Sequence, residues 1–378
     1  MTRLLLRLVL VGLGLGIPYL AAEGVHSLLG GGRAGTSLAY DVYARWVRPG
    51  VPDFDRRDPT TWVITQPDEL DALRPLLLAN GVGIGNTPYR ELRVDAAAIN
   101  RDVDGCTEQK PDQHKVMAFL RSNLFNPFDE PTYFYDADRV LPPELQRFFA
   151  QHGFRHVHLT SNGDGERLTL PVVDANDIVL VAGDSVANGA MLDDSETISS
   201  RLQGEDPHRR YVNLGIVGAQ TSDIACALER AARRYHGRLR ELIYVFCEND
   251  FDDATPEEVI AGLVAFAERE QIRQVVLVYM PYIYNVVPEM TRIRGHSHYN
   301  YPTYRNEKRA LLAQARQAGV AIVDFVDIAN DEQRALATQF APLALYVDHT
   351  HPSPRGVQRL VAAIDAARTG PTASPPGD

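Results

Sequence analysis

The sequence from about residue 171 onwards predicts an α/β fold, namely a doubly wound, mainly parallel five-stranded sheet between two layers of helices. Short apolar runs, continuous enough to be buried on both faces of a sheet, alternate with longer segments of helical periodicity. Helix-start and helix-stop residues stand between these runs. Such a sheet places functional side chains at the carboxyl ends of its strands.

Five apolar runs are the predicted strands, and helical crossovers fit between them. They span residues 178–182, 211–214, 242–246, 275–280 and 320–324. The helix after the third strand has Thr255 as its predicted N-cap, Pro256 in its first turn and Glu258 to complete a capping box. Two further helices are predicted, over residues 304–318 and from about residue 354.

Composition and charge exclude several classes of protein. The 378 residues are 45% hydrophobic and 23% charged, which is typical of a folded chain and excludes a disordered, collagen-like or multi-span membrane protein. The net charge is 38 − 49 = −11, and Lys and Arg form no basic run, so we expect no nucleic-acid partner.

The N-terminus predicts an export signal. Arg3 and Arg7 precede the uncharged apolar stretch Leu8–Ala22. A cleaved signal peptide and a retained anchor are both open. Leu20-Ala21-Ala22 matches a small-x-small cleavage site poorly, which favours an anchor that holds the rest of the chain outside the cytoplasm, in the periplasm or beyond.

Texture along the chain divides it into four segments. They are a signal or anchor (1–25), a region of unassigned fold (26–170), the α/β domain (171–368) and a disordered tail (369–378). In the unassigned region, helices are indicated over residues 67–80 and 113–123. Its aromatic residues, among them Tyr133 and Phe149, are more typical of packing than of a binding platform.

Three cysteines, Cys106, Cys226 and Cys247, permit at most one disulfide within the chain. The sequence is therefore not that of a disulfide-built scaffold. Cys226 falls in a predicted helix and Cys247 at the end of a predicted strand. In both positions a cysteine usually behaves as a small apolar core residue.

Polar motifs follow the predicted strands, and a fourth precedes the last helix. They are Gly183-Asp184-Ser185, the block from Asn213 to Thr221, Cys247-Glu248-Asn249-Asp250, and Asp348-His349-Thr350-His351. At a strand-to-helix turn the Ser185 hydroxyl can project into the crevice. Asp348 is spaced to accept a hydrogen bond from the His351 ring, which leaves the other ring nitrogen free to take the serine proton.

Together these four blocks resemble the SGNH hydrolase superfamily, also called GDSL-type esterases and lipases, over residues 175–368. The resemblance implies a flavodoxin-like three-layer fold, with Ser185 as nucleophile, His351 as general base and Asp348 as its orienting residue. It also implies an oxyanion hole made by the N–H groups of Ser185 and Gly218 and the side chain of Asn249. Residues 163–171 and 192–197 are similar to membrane-attached or exported bacterial branches.

Two departures from the usual motifs stand out. Val186 replaces the commonest Leu, and this side chain should pack beneath the turn. Cys247-Glu248 stand where many members carry glycines, so the backbone there approaches a substrate less closely, and Glu248 adds a charge of unknown use.

Each assignment has an alternative. Ser185 could cap the following helix, Asn249 could cap the third strand, and Gly218 could be a turn glycine. His349 competes with His351 as base, although the Asp-x-x-His spacing favours His351. Asp184 and Asp223 are interpreted as structural. The pairs at 156/158, 296/298 and 349/351 could bind zinc, but no metallohydrolase spacing surrounds them, so we expect no metal.

These observations predict an exported serine esterase that needs no cofactor and cleaves short acyl esters, with acetyl groups on an envelope or extracellular glycan favoured. The alternatives are an O-acyltransferase of the same fold and a non-catalytic scaffold of a polysaccharide-modifying complex. The expected partners are a small-molecule or glycan ester and, through the N-terminal helix, the membrane. Partner proteins are not predicted.

The loop after the fourth strand is a candidate substrate wall. Four tyrosines and two arginines could contact sugar rings: Tyr282, Tyr284, Tyr299, Tyr301, Arg292 and Arg294. A solvated loop anchored by its aromatic residues is the equally favoured alternative.

Overall fold

The computed structural model describes residues 67–85, 90–94, 96–119, 132–287, 304–339 and 341–369. The predicted signal segment and the predicted C-terminal tail lie outside these ranges. Among the helices within them, none has the length and apolarity needed to cross a bilayer.

Residues 67–160 build a small α+β region around an antiparallel sheet. Its elements are α1 (Pro67–Ala79), β1 (Gly83–Gly85), a 3-10 turn (Arg90–Leu92), α2 (Ala96–Ile99), β2 (Asn100–Val103), β3 (Cys106–Gln109), β4 (His114–Phe119), β5 (Thr132–Asp136), α3 (Pro143–His152) and β6 (Arg155–Thr160). The sheet order is β1-β5-β4-β6, and every neighbouring pair is antiparallel. Strands β2 and β3 pair separately as a hairpin.

Aromatic packing forms the core of this antiparallel region. The buried ring of Tyr133 on β5 meets Phe148, Phe149 and Phe154 edge-on, with ring centroids 5.7, 5.2 and 5.3 Å away. Edge-to-face pairs of this kind stabilise a core beyond their buried area. The packing role predicted for the aromatic residues is therefore confirmed, as is the helix predicted over residues 67–80.

The helix indicated over residues 113–123 is wrong, because residues 114–119 form strand β4. Met117 and Phe119 pack into one apolar cluster and Ala118 into another, so the strand is covered on both faces. A short run buried on both sides has no periodicity that separates strand from helix. Pairing with β5 and β6 decides the outcome.

The remaining elements build the predicted α/β domain. They are β7 (Ile178–Gly183), α4 (Ser185–Asn188), α5 (Ile198–Glu205), β8 (Arg210–Asn213), α6 (Thr221–Arg234), β9 (Leu239–Cys247), a 3-10 turn (Glu248–Asp252), α7 (Pro256–Arg269), β10 (Gln274–Met280), α8 (Ile283–Val286), α9 (Arg305–Gln317), β11 (Ala321–Asp324), α10 (Phe325–Leu336), a 3-10 turn (Ala341–Leu345) and α11 (Pro354–Thr369). All five predicted strands are present. The capping box at Thr255 and Glu258 is also confirmed.

The five strands form one parallel sheet in the order β11-β10-β9-β7-β8. Alternate side chains of β7 enter opposite cores, with Val179 and Val181 facing α5, α10 and α11, and Leu180 and Ala182 facing α6, α7 and α9. The predicted doubly wound three-layer fold is therefore confirmed. In the chain order 2-1-3-4-5, the crevice lies between the first and third strands, β7 and β9.

A disulfide and several hydrogen bonds join the antiparallel region to the α/β domain. Cys106 on β3 is bonded to Cys226 on α6, so the prediction that Cys226 is a free core residue is wrong. Spacing alone could not reveal this, because the partner lies 120 residues away. Cys247 is free and buried, as predicted.

Arg167 fastens the same boundary from the segment between the two sheets. Its side chain is fully buried and pairs with Asp194, and it also donates to the carbonyls of His158, Asn188 and Leu192. Four acceptors compensate the burial of one guanidinium charge. The C-terminal end of the short helix α4 is thereby fixed to β6.

Candidate active site

The turn between β7 and α4 presents Ser185 at the crevice. Gly183 has φ 150°, and a Cβ there would lie 2.4 Å from the Val245 carbonyl oxygen, so the turn requires glycine. Asp184 is the N-cap of α4, and its side chain accepts from the Val186 N–H at 2.9 Å. Because Asp184 performs the capping, the Ser185 hydroxyl is free for another partner.

That partner is His351. Its Nε2 lies 2.9 Å from the Ser185 Oγ, and its Nδ1 lies 2.8 Å from the Asp348 Oδ2. The other carboxylate oxygen of Asp348 accepts from the backbone N–H groups of Thr350 and His351, at 2.8 and 2.7 Å. The structure thus brings together the three predicted residues in the order serine, histidine, aspartate.

Electrostatics at the triad favour a histidine that accepts a proton readily. Burial disfavours ionisation of His351, but the charge and hydrogen bond of Asp348, helped by the charge of Asp184, outweigh it and raise the His351 pKa. Burial also opposes ionisation of Asp348, yet the neighbouring His351 and its hydrogen bonds lower the Asp348 pKa. Asp348 therefore remains a carboxylate that orients and stabilises the imidazolium.

His349 lies in a different environment. Its ring stacks on Tyr282, with centroids 5.8 Å apart, and its carbonyl accepts from the Ile283 N–H at 2.8 Å. Burial lowers its pKa, with Asp348 opposing that shift. Of the two competing histidines, the structure brings His351 to the serine and uses His349 to hold the loop after β10.

Asn249 follows β9 and lies beside the nucleophile turn. Its Nδ2 donates to the Asp184 Oδ2 at 3.1 Å, which leaves the second N–H of the amide for another acceptor. Burial raises the Asp184 pKa, while bonds from Val186 and Asn249 oppose the shift. Asp184, interpreted from sequence as merely structural, therefore also orients Asn249 and acts on the charge of His351.

Gly218 lies in the turn after β8 with φ 70°, a conformation that favours glycine. Within the described part of the chain, no acceptor takes the N–H of Gly218 or that of Ser185. Two unpaired N–H groups and one amide N–H are the donors that an oxyanion hole requires. Their convergence on one oxygen stays a prediction.

Glu248, whose use the sequence left open, supports the next loop. Its buried carboxylate accepts from the Tyr282 N–H at 2.7 Å, from Asn285 Nδ2 at 2.6 Å and from the Tyr279 hydroxyl. Burial raises its pKa, and these three hydrogen bonds oppose the shift. The residue next to Asn249 therefore fixes the loop that contacts His349.

The candidate substrate wall is described only in part. Tyr282 is 8% exposed and stacks on His349, and Tyr284 packs against the sheet core. These two tyrosines therefore anchor the loop, as the alternative predicted. Tyr299, Tyr301, Arg292 and Arg294 lie outside the described residues.

Two further predictions concern metal and Asp223. Among the residues described, no group of three or more His, Cys, Asp or Glu side chains is arranged to hold a metal ion. His156 and His158 lie on the exposed side of β6, and residues 296 and 298 are outside the description. Asp223 completes a capping box with Gln220 and accepts from the Thr107 N–H at 2.7 Å, a structural role as predicted.

No protein-family model matches the chain, and no curated protein sequence matches it. Solved structures similar to it include a lipolytic protein of the G-D-S-L family from Veillonella parvula, 14% identical with a TM-score of 0.39, covering 51% of this chain and 98% of that one. The SGNH-hydrolase family esterase AlinE4 is 19% identical with a TM-score of 0.31, covering 52% and 95%. The acetyl xylan esterase AlAXEase is 12% identical with a TM-score of 0.39, covering 50% and 98%.

Identities and TM-scores this low carry no information about activity or substrate. The strand order of the parallel sheet is the one that the resemblance to the SGNH superfamily implied. That resemblance is therefore confirmed at the level of the fold, and the chemistry has to be argued from the site itself.

Proposed function

We propose that this chain is a serine hydrolase that cleaves ester bonds through an acyl-enzyme intermediate. The observation that carries the proposal is the continuous chain of hydrogen-bonding atoms from Ser185 Oγ through both nitrogens of His351 to Asp348, 2.9 and 2.8 Å long at its two steps. A buried carboxylate, an imidazole and an accessible hydroxyl in that order activate a nucleophile.

In the first half-reaction, Ser185 Oγ bonds to the ester carbonyl carbon as its proton passes to His351 Nε2. The carbonyl oxygen takes the electron pair and is stabilised by the N–H groups of Ser185 and Gly218 and by Asn249. Collapse of this intermediate breaks the bond to the alcohol, which leaves with the proton from His351. Water then repeats the sequence on the acyl-enzyme and releases the acid.

The proposed location is outside the cytoplasm. Two features support it, the predicted signal or anchor at residues 1–25 and the Cys106–Cys226 disulfide, because disulfides persist mainly in oxidising compartments. Protease treatment of intact and permeabilised cells tests this. The domain should be cleaved without lysis of the cytoplasm, and protection until lysis would contradict it.

We favour a short acyl group, acetyl on an envelope or extracellular glycan, as substrate. The proposed location and the small residues Ala187 and Gly189 behind Ser185 support it. The test compares p-nitrophenyl acetate, butyrate and octanoate with the full chain. Acetate should be turned over fastest, and a preference for octanoate would reject the short-acyl proposal.

Ser185→Ala tests the nucleophile, with Ser195→Ala, an exposed serine of the next loop, as matched control. The first variant should lose about 10⁴- to 10⁶-fold in kcat with an unchanged Tm, and the second should keep full activity. A phosphonate probe separates the alternatives. Labelling of Ser185 without ester turnover would indicate an acyltransferase that awaits its acceptor, whereas no labelling of a folded protein would indicate a scaffold.

A further inference from the structure

A cavity of about 550 Å³ lies where the antiparallel region meets the α/β domain. Phe119 and Arg155, opposite each other on β4 and β6, form one wall. Glu196 and Arg201 form a second wall, and Val347 with the first turn of α11 forms the third. This volume suits a small molecule rather than a bare ion.

The cavity is positively charged within an acidic protein. Arg155, Arg201 and Arg355 line it with a single carboxylate, that of Glu196, so the formal charge of the lining is 3 − 1 = +2. The whole chain carries −11. Arginine forks bind carboxylate and phosphate groups in pairs of hydrogen bonds, so the lining is suited to an oxyanion.

Existing ion pairs leave much of this donor capacity unused. Arg155 binds Glu196 through one nitrogen, and Arg355 binds the buried Glu332, which Arg359 also binds. No described residue accepts a hydrogen bond from the guanidinium of Arg201, which is exposed on α5. Arg201 therefore presents its full set of donors to solvent and to the cavity.

The first turn of α11 adds a second electropositive feature. This helix has 16 residues, and Pro354, Arg355 and Gln358 of its N-terminal part line the cavity. The N-terminal end of a helix carries partial positive charge and favours anions. The dipole and the arginines act on the same space.

The cavity is also next to the catalytic loop. Val347 precedes Asp348, and its N–H donates to the His351 carbonyl at 2.8 Å. On its other side Val347 packs against Met117, Phe119 and Leu159 of the antiparallel sheet. A ligand in the cavity therefore lies one residue from the loop that carries the general base, without contacting the triad.

We propose that this cavity binds the carboxylate or phosphate group of a polar ligand the size of one or two sugar units. Arg201 makes the principal ionic contact, and Arg155, Arg355 and the start of α11 supply the rest. The site is distinct from the triad, so binding is independent of Ser185.

Calorimetric titration of the full chain tests the proposal with three probes, glucuronate, glucose 6-phosphate and glucose. At least one of the two anions should bind, weakening as salt is raised, and which one binds distinguishes a carboxylate from a phosphate source. Glucose should bind at least about tenfold more weakly. Equal binding of glucose, or no binding of either anion, would overturn the proposal.

Two pairs of surface variants locate the site. Arg201→Gln and Gln358→Glu should each weaken anion binding by about tenfold or more, whereas Arg316→Gln and Gln317→Glu, exposed on α9, should leave it unchanged. Binding that is unaffected by Arg201→Gln would place the anion elsewhere. Because Ser185→Ala should bind as the wild type does, loss of esterase activity and loss of this site are separate results.

Discussion

The parallel and antiparallel sheets differ in how they serve the candidate site. Every triad residue stands on a segment that follows a strand or precedes a helix of the parallel sheet, where strand ends converge. The antiparallel sheet contributes no atom to Ser185, His351 or Asp348 within the hydrogen bonds of the described residues. It contacts the segments on which the parallel sheet presents its chemistry.

These contacts reach backbone and second-layer atoms. Asn100 Nδ2 donates to the Val217 carbonyl at 2.7 Å, next to Gly218, and Gln109 Oε1 accepts from Asn188 Nδ2 at 3.0 Å, at the end of the nucleophile helix. The comparison teaches a division of work. Changes in the parallel half should remove catalysis, whereas changes in the antiparallel half should alter stability and the placement of the oxyanion donors.

Asp348→Asn should produce the largest loss and marks the parallel half as catalytic. The amide cannot hold His351 in the tautomer that accepts the Ser185 proton, so kcat/KM should fall about 10⁴-fold. Initial rates on p-nitrophenyl acetate measure this, with Tm as the check on folding. A loss below about tenfold with Tm unchanged would remove Asp348 from the mechanism.

Asn249→Ala should cost about 10² to 10³ in kcat with little change in KM, because an oxyanion donor acts mainly in the transition state. Asn285→Ala is the matched control, since Asn285 also binds a buried carboxylate, Glu248, at 2.6 Å. The control should retain most of its kcat. Equal losses of kcat in both variants would mean that Asn249 acts only through structure.

The disulfide tests the other half of the comparison. Replacing Cys106 and Cys226 together by Ser should lower the free energy of unfolding by about 2–4 kcal/mol, because the bond closes a long loop. Denaturant titration measures the loss, and kcat at low temperature should stay within about threefold of wild type. A collapse of kcat in the folded variant would show that the bond also shapes the site.

The pH profile depends on the parallel half alone. His351 must be neutral to accept the proton, and its pKa is raised from 6.5, so kcat/KM should rise with pH through a midpoint above 6.5. Below that midpoint the rate should fall about tenfold per pH unit. Rates measured between about pH 5 and pH 9 check this. A midpoint below 6.5 would contradict the charge effect of Asp348.

Asn100→Ala should give the smallest effect and the sharpest test of the contact between the halves. Removing its bond to Val217 should lower kcat about fivefold by loosening the Gly218 turn. Asn80→Ala is the control, because Asn80 makes the same kind of bond to the Leu76 carbonyl, at 2.8 Å, within the antiparallel region. Equal kcat values for the two variants would deny the antiparallel region any role in positioning.

The sequence predicted the α/β domain well because its strands are buried on both faces and read as continuous apolar runs. The candidate site was equally accessible, since Ser185, Asn249 and the Asp348–His351 pair stand directly at element ends. The role of Asp184 toward Asn249 was missed, although the motif that contains it was recognised. Its contact spans 65 residues and depends on the approach of β9 to β7.

The antiparallel region resisted prediction for a physical reason. Strand β4 is covered on both faces over only four residues, and β1 has three residues, so neither shows a period. Its partners are distant in sequence, as with Asn100 and Val217, which are 117 residues apart. The role of Glu248 was equally hidden, because its ligands Tyr282 and Asn285 belong to a loop after the next strand.

The disulfide also has a consequence for biosynthesis. Cys106 leaves the ribosome 120 residues before Cys226, a delay of roughly 6 to 24 s at ordinary rates of synthesis. During that interval its thiol has no native partner. Cys247, which ends buried and unpaired, emerges only a little after Cys226 and competes for the same bond. Correct pairing therefore requires that α6 dock on the β2–β3 hairpin before the third cysteine can reach either of the other two.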